Sequence, residues 1–427
     1  MNLYEFQKDV LKESEQLNKV AYYYDMGLGK TFIGFEKLYN LESRVNLIVC
    51  QKSKIEDWFN HIVDNYADKN NVATFDLTSK AGLSYFLQYV EDEIPNLMLV
   101  GIINYELLFR RPELSGLSNF TLMLDESSLI QNETSKRSRF ILQKLRPKNV
   151  ILLSGTPTGG KYEKLWSQLY LLGWNISKNE YWNRYVDFYI DDRMGFPMKV
   201  VKGYKRVEEL KSKMREYGCF FKRTDEVFSL PEQIFSVVKC SLPAGYNQLK
   251  KKGIVEIDKD ITLVADSLLK EMLYERQLCG MYSPAKFKAL KDLLESSDDR
   301  FIIFYNFDDE LKQIKELCRK LDRPISVVNG NVKDLTQYER RGNSITLIQY
   351  QAGAMGLNLQ KANRIVYFTP TLSSELYEQS KKRIHRIGQT KTCFYYNLTV
   401  IGSIEEKIYA NLALRKDYTE KLFQEER

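Results

Sequence analysis

Short apolar runs of strand length recur along the chain. KVAYYY, NLIVC (46–50), NLMLVGI (96–102), FTLML (120–124) and NVILLS (149–154) occupy the first half. FIIFYNF (301–307), ISVVNG, ITLIQY, RIVYFTP and CFYYNLTV follow in the second. Several are apolar almost throughout, as strands buried on both faces of a parallel sheet must be. Amphipathic stretches such as TFIGFEKLYNL and KIEDWFNHIV lie between them, and this alternation predicts α/β architecture. From about 160 to 290 the pattern becomes charged, aromatic and helical, as in EKLWSQLYLLGW and VEELKSKMREYG, with one strand-like break at EQIFSVVKCSL. SPAKFKALKDLLESS leads back into α/β alternation, and SIEEKIYANLALRKDYTEKLF reads as a closing amphipathic helix. The pattern therefore predicts two α/β, parallel-sheet lobes with a helical insertion between them.

Composition narrows the class. A chain of 427 residues, 44% hydrophobic and 13% aromatic, is long enough for two or three cores and is not of disordered type. The N-terminus MNLYEFQKDV lacks a basic segment followed by an apolar one, and the longest apolar run is too short to span a bilayer. We therefore expect a soluble, cytoplasmic protein with no membrane partner. The six cysteines form no CxxC or Cys/His cluster, so reduced buried thiols are expected rather than disulfides or zinc. A formal charge of +7 permits a polyanionic partner without requiring one.

The stretch DMGLGKT (25–31) follows an apolar run and opens onto a helical pattern. It resembles a phosphate loop, although Tyr24 stands where the general pattern places its first glycine. Gly27, Leu28 and Gly29 would turn the backbone N–H groups toward phosphate, Lys30 would reach the β/γ-phosphates, and Thr31 would offer a hydroxyl to Mg²⁺. Alone, the stretch is only moderately better than an ordinary strand–turn–helix link. About 95 residues later, FTLMLDESS sets Asp125 and Glu126 at the end of an apolar run. One carboxylate there can join a Mg²⁺ shell, and its neighbour can position or deprotonate water. LLSGTPTGG then places Ser154, Gly155 and Thr156 after another run; in isolation it is a turn before Pro157. In EQSKKRIHRIGQTK (378–391), Arg383 and Arg386 are three apart and would share a helix face, suited to the charge on a transferring γ-phosphoryl group. An isolated basic cluster is more readily a solvated or nucleic-acid-binding face.

Taken in order, these segments resemble the motifs of helicase superfamily two, and specifically the SWI/SNF-like DNA translocases of minimal bacterial or phage type. LYEFQ resembles the adenine-reading segment, DMGLGKT the family's own phosphate loop, INYE (103–106) motif Ib and SGTP motif III. LWSQLYLLGW resembles the helix after motif III, FFKRTDEVFSLPEQ the basic segment ahead of Leu-Pro, QAGAMGLNL (351–359) motif V, and RIHRIGQ the most family-specific stretch. The resemblance runs from residue 3 to about 410. It implies two RecA-like lobes: 1–220 with a helical protrusion at about 160–220, and 221–427 with a second at about 244–285. It assigns ATP to Gln7, Gly27, Leu28, Gly29, Lys30, Thr31, Gly356, Arg383 and Arg386, and Mg²⁺ to Thr31 and Asp125. Lys30, Asp125, Glu126, Arg383 and Arg386 become the catalytic set, and Ser53 to Trp58, INYE, Gly330 and motif V line a nucleic-acid track.

There are departures. The acidic motif reads Asp-Glu-Ser-Ser rather than DEAH or DEGH, so the histidine that helps couple hydrolysis to DNA is absent, and Gln351 replaces the usual base of motif V. The implied activity is a DNA-dependent ATPase that translocates along double-stranded DNA as a monomer, alongside other replication or repair proteins. A strand-separating helicase of phage or plasmid replication, or an ATP-gated DNA clamp, would carry the same catalytic residues.

Overall fold

The computed structural model describes residues 3–66, 71–192, 197–257, 261–353 and 357–423, with side chains as far as 416. The chain divides into two compact units, Met1–Val227 with Tyr418–Arg427, and Phe228–Asp417.

In the first unit the strands are β1 (Lys19–Tyr24), β2 (Val45–Cys50), β3 (Val72–Asp76), β4 (Met98–Asn104), β5 (Thr121–Asp125) and β6 (Asn149–Leu153). A separate antiparallel hairpin, β7 (Val186–Asp191) and β8 (Met198–Tyr204), precedes β9 (Cys219–Lys222). Seven of these form one parallel sheet in the order β3-β4-β2-β5-β6-β1-β9. Residues of β2 and β6 are buried throughout, which explains runs such as VNLIVC and NVILL with no polar alternation. The order makes β5, β6 and β1 neighbours, and parallel pairing puts their carboxyl ends on one edge. DESS, SGTP and DMGLGKT therefore leave the sheet side by side.

The second unit contains β10 (Gln233–Cys240), β11 (Ile254–Glu256), β12 (Thr262–Val264), β13 (Phe301–Tyr305) and β14 (Ile325–Val328). β15 (Lys333–Asp334), β16 (Ile345–Gln349), β17 (Arg364–Tyr367) and β18 (Cys393–Val400) complete it. Its sheet runs β10-β18-β17-β13-β16-β14-β15, parallel except for the last pair. Both units thus have the predicted parallel-sheet architecture. Among the described residues, no helix is long and apolar enough to cross a membrane.

The insertions are less purely helical than the pattern suggested. Between helices Lys178–Tyr185 and Val207–Glu216 stands the β7–β8 hairpin, and β11–β12 forms a second hairpin between helices Tyr246–Lys252 and Leu268–Met281. Aromatic and β-branched residues in VDFYID and MKVVKGY favour pleated pairing. Cations reinforce it, with Lys199 Nζ 4.7 Å from the Phe188 ring centre and Lys202 Nζ 5.1 Å from that of Tyr189. Strands β3 and β9 also go beyond the sequence pattern: β9 has only four residues, and neither is buried end to end.

Buried polar groups staple the second unit. Lys286 pairs with Glu405 where both are buried, and its Nζ also donates to the Phe368 carbonyl at 2.6 Å. Beside it, Glu310 Oε2 accepts from Asn306 N (2.9 Å), Phe307 N (3.2 Å) and Thr369 Oγ1 (3.1 Å), joining the ends of β13 and β17. Burial pushes the Glu310 carboxyl up to about 7, against the pull of those donors and of Lys286. A carboxyl raised in this way stabilises the fold fully below its ordinary value of 4.5, and that contribution is lost as pH rises through about 7. Urea unfolding of the second unit should therefore weaken between pH 5 and pH 8 by about 3 kcal/mol. In Glu310→Gln that slope should disappear; an unchanged slope would place the titration elsewhere.

Candidate functional site

The DMGLGKT segment is held from the N-terminal side. Helix Glu5–Glu13 begins with Gln7 Oε1 accepting from Tyr4 N at 2.9 Å, while Gln7 Nε2 donates to the Leu28 carbonyl at 3.0 Å. The buried amide thus ties a helix cap to the loop. At the other end of that helix, Lys37 Nζ donates to the carbonyls of Ser14 (2.6 Å) and Glu15 (3.0 Å), which fastens it to helix Lys30–Asn40. Burial lowers the Lys37 ammonium below its ordinary value.

Gly29 caps helix Lys30–Asn40 with φ 72°, a left-handed conformation that side-chain-bearing residues resist. Lys30 Nζ donates to the carbonyls of Tyr24 (2.8 Å) and Asp25 (3.2 Å), so the loop curls around its own lysine. Thr31 lies half-buried in the first helical turn. From the far side, Thr224 N and Oγ1 both donate to Asp25 Oδ2 at 3.1 Å, anchoring the FFKRTDE segment beside the loop.

Asp125 ends β5, and its Oδ2 accepts from the indole Nε1 of Trp58 at 2.9 Å. Burial raises the Asp125 carboxyl, opposed by that indole bond and by the charges of Lys30 and Lys54. Glu126 follows with φ 55° and ψ 58°. A left-handed non-glycine backbone costs about 1–2 kcal/mol, and such strain gathers where a side chain must be aimed. Tyr105 helps to hold it, its hydroxyl donating to the Asp125 carbonyl at 2.9 Å. Burial drives that hydroxyl's pKa well up, so it stays a donor. Gly155 stands close to the lysine: a Cβ built on it would be 3.3 Å from Lys30 Nζ. Lys30, Asp125 and the SGTP turn are therefore grouped at one sheet edge. Trp58 and Tyr105, in the segments expected to line a nucleic-acid track, have their polar atoms on the acidic segment.

In the second unit, Arg383 and Arg386 do not share a helix face. Helix Ser374–Lys381 ends before them, and both lie in the turns that follow. The reason is Gln389, whose Nε2 donates to the carbonyls of Gln360 (3.1 Å), Ala362 (2.9 Å) and Ile384 (3.2 Å) while Oε1 accepts from Thr390 N and Lys391 N. That side chain closes the segment into a loop. Arg383 is buried, with Nη1 3.4 Å from the Leu357 carbonyl, and Arg386 is half-buried. Gly356 lies outside the described residues. Gly330 stands in open space on the β14–β15 turn.

Two family models match the chain: the SNF2-related domain over residues 22–283 and the helicase conserved C-terminal domain over 285–388. The chain belongs to the SNF2-related family. It is 24% identical to YwqA of Bacillus subtilis over 94% of its own length and 46% of that protein's. It is 25% identical to the DNA repair and recombination protein RAD54-like of Gallus gallus, over 94% of this chain and 64% of that one. The chain thus spans about half the length of the curated relatives it matches. Among solved structures, the Sulfolobus solfataricus SWI2/SNF2 ATPase core in complex with dsDNA is 20% identical, with a TM-score of 0.46 over 98% of this chain and 92% of that chain.

Because Gln7 spends both ends of its amide on the loop and the helix cap, Gln7→Ala should loosen residues 26–30 first. Amide exchange there should quicken about tenfold, equivalent to ~1.4 kcal/mol of local stability, with β1 and β6 protected as before. Unchanged exchange would mean the amide does not hold the loop.

Proposed function

We propose that the chain is a DNA-dependent ATPase motor that moves along double-stranded DNA. The observation that carries this reading is the grouping of Lys30, Asp125 and the SGTP turn on the adjoining strands β1, β5 and β6. In this reading Lys30 exchanges the Tyr24 and Asp25 carbonyls for phosphate oxygens, a stronger charge-assisted bond. The N–H groups of Gly27, Leu28 and Gly29 cradle the phosphates, and Gln7 meets the adenine. Glu126, aimed by its left-handed backbone, orients the attacking water and takes its proton. Arg383 and Arg386 bring positive charge to the γ-phosphate from the second unit, so that cycles of closing and opening follow ATP binding and hydrolysis.

The donor set suits Mg²⁺: a carboxylate at Asp125 and a hydroxyl at Thr31 are hard oxygen ligands. Among the described residues no cluster of three or more His, Cys, Asp or Glu is placed to hold a metal, and Mg²⁺ needs only one or two carboxylates beside phosphate oxygens. When bound, it supplies charge neutralisation across the β- and γ-phosphates. DNA as the track is supported by the relative named for DNA repair and recombination and by the chain's positive charge.

ATP turnover measured side by side with single-stranded, double-stranded and forked DNA and RNA tests the reading. Duplex DNA should raise turnover about tenfold or more, and triplex displacement should accompany it. Turnover indifferent to DNA would overturn it, and preferential opening of forked duplexes would favour a strand-separating helicase. Lys30→Ala should cut turnover by about a hundredfold or more while the melting temperature stays within about 2 °C. Near-normal turnover in Arg386→Ala would remove the second unit from the chemistry.

A further inference from the structure

Gln168 lies outside the phosphate loop, the acidic motif and the SGTP turn, yet its side chain joins the last two and the strand that leads into the first. It sits on helix Trp166–Leu171 and is wholly buried. Its Oε1 accepts from Ser127 Oγ at 2.7 Å and from the Tyr23 hydroxyl at 3.1 Å. Its Nε2 donates to the Pro157 carbonyl at 2.7 Å. A carbonyl can only accept, so Pro157 fixes which way the amide points and Oε1 must face the two hydroxyls. Ser127 and Tyr23 are buried as completely, and burial raises the Tyr23 hydroxyl well above its ordinary range, which keeps it a donor.

We propose that Gln168 is a positioning residue that transmits movement of the SGTP turn to the acidic segment, with Ser127 as its point of attachment. The inference rests on the ATPase reading above. Ser127 directly follows Glu126, whose backbone is held in a strained left-handed conformation. A displacement of the Pro157 carbonyl therefore reaches the residue beside that carboxylate through two hydrogen bonds and one rigid amide plane. Gln131 Nε2, 3.3 Å from the same carbonyl, steadies the turn from a second direction. The Asp-Glu-Ser-Ser sequence supplies the hydroxyl this link needs, since an alanine or glycine at 127 has nothing to donate. The attachment occupies buried groups only, so any shift must be passed on or must leave a buried partner unsatisfied, at about 1–3 kcal/mol.

Three variants test the link: Ser127→Ala removes the donor, Gln168→Leu removes the amide, and Gln168→Glu keeps the acceptor but loses donation to Pro157. The quantity to measure is the ratio of ATP turnover with duplex DNA to turnover without it, together with KM for ATP and the melting temperature. In each variant the stimulation ratio should fall about fivefold or more, with KM within about twofold of the parent. A merely structural role would lower the melting temperature and scale both turnovers together, leaving the ratio intact; that result overturns the proposal. If Gln168→Leu fails to fold, Ser127→Ala, which deletes one oxygen, breaks the same link with far less disturbance and decides the matter alone. A parent protein that duplex DNA does not stimulate would sink the ATPase-motor reading itself, whereas unchanged ratios in a stimulated parent sink only the Gln168 link.

Discussion

Burial of a parallel sheet on both faces governs where this protein can keep polar chemistry. Strands such as β2 and β6 meet apolar neighbours above and below, so no charged side chain is tolerated along them without a partner. Parallel pairing also forces every strand to leave the sheet at the same edge as its neighbours. Polar and charged residues are consequently displaced to strand ends, and with β5, β6 and β1 adjacent, three such ends meet. Lys30, Asp125 and the SGTP turn come together through this constraint, although they are far apart in the chain.

A second layer of interactions then sets the orientation of what the sheet has gathered. Each main site segment of the first unit has a polar side chain from elsewhere fastened to it. Gln7 and Thr224 hold the loop, Trp58 and Tyr105 hold the acidic segment, and Gln168 holds both that segment and the SGTP turn. Most of these supports are buried, where a hydrogen bond lost is not replaced by water. The left-handed backbone at Glu126 persists in this setting: a strain of about 1–2 kcal/mol is comparable with one or two such bonds.

The two layers differ in how far the sequence reveals them. A phosphate loop, as proposed here, requires consecutive residues of fixed type, so DMGLGKT and the acid pair stand out in the sequence, and the apolar runs disclosed most of the strands. The supports could not be read in the same way. Trp58 meets Asp125 across 67 positions and Ser127 meets Gln168 across 41, distances at which nothing local constrains residue type. LWSQLYLLGW reads as a helix, but nothing in the sequence marks its glutamine as a residue that the fold buries. The same limit explains RIHRIGQ. The spacing of Arg383 and Arg386 suited a helix, but Gln389 captures three backbone carbonyls and bends the chain away from one. In the β7–β8 hairpin, clustered aromatics and charges imitated a helical pattern while pairing as strands.

The arrangement of Lys30 follows from the same physics. An ammonium group at a half-buried loop cannot be left without acceptors, and here the Tyr24 and Asp25 carbonyls serve. Each is a neutral acceptor, and a bond from a charged donor to such a group contributes about 1.5–3 kcal/mol. A phosphate oxygen carries net charge as well, so it outcompetes a carbonyl for the same proton. In the proposed reading the lysine rests on neutral acceptors, which a charged phosphate oxygen would displace. Asp125 is turned toward Trp58 by the indole bond, yet its charge and that of Lys30 still act on each other, while Lys30 Nζ keeps both carbonyls.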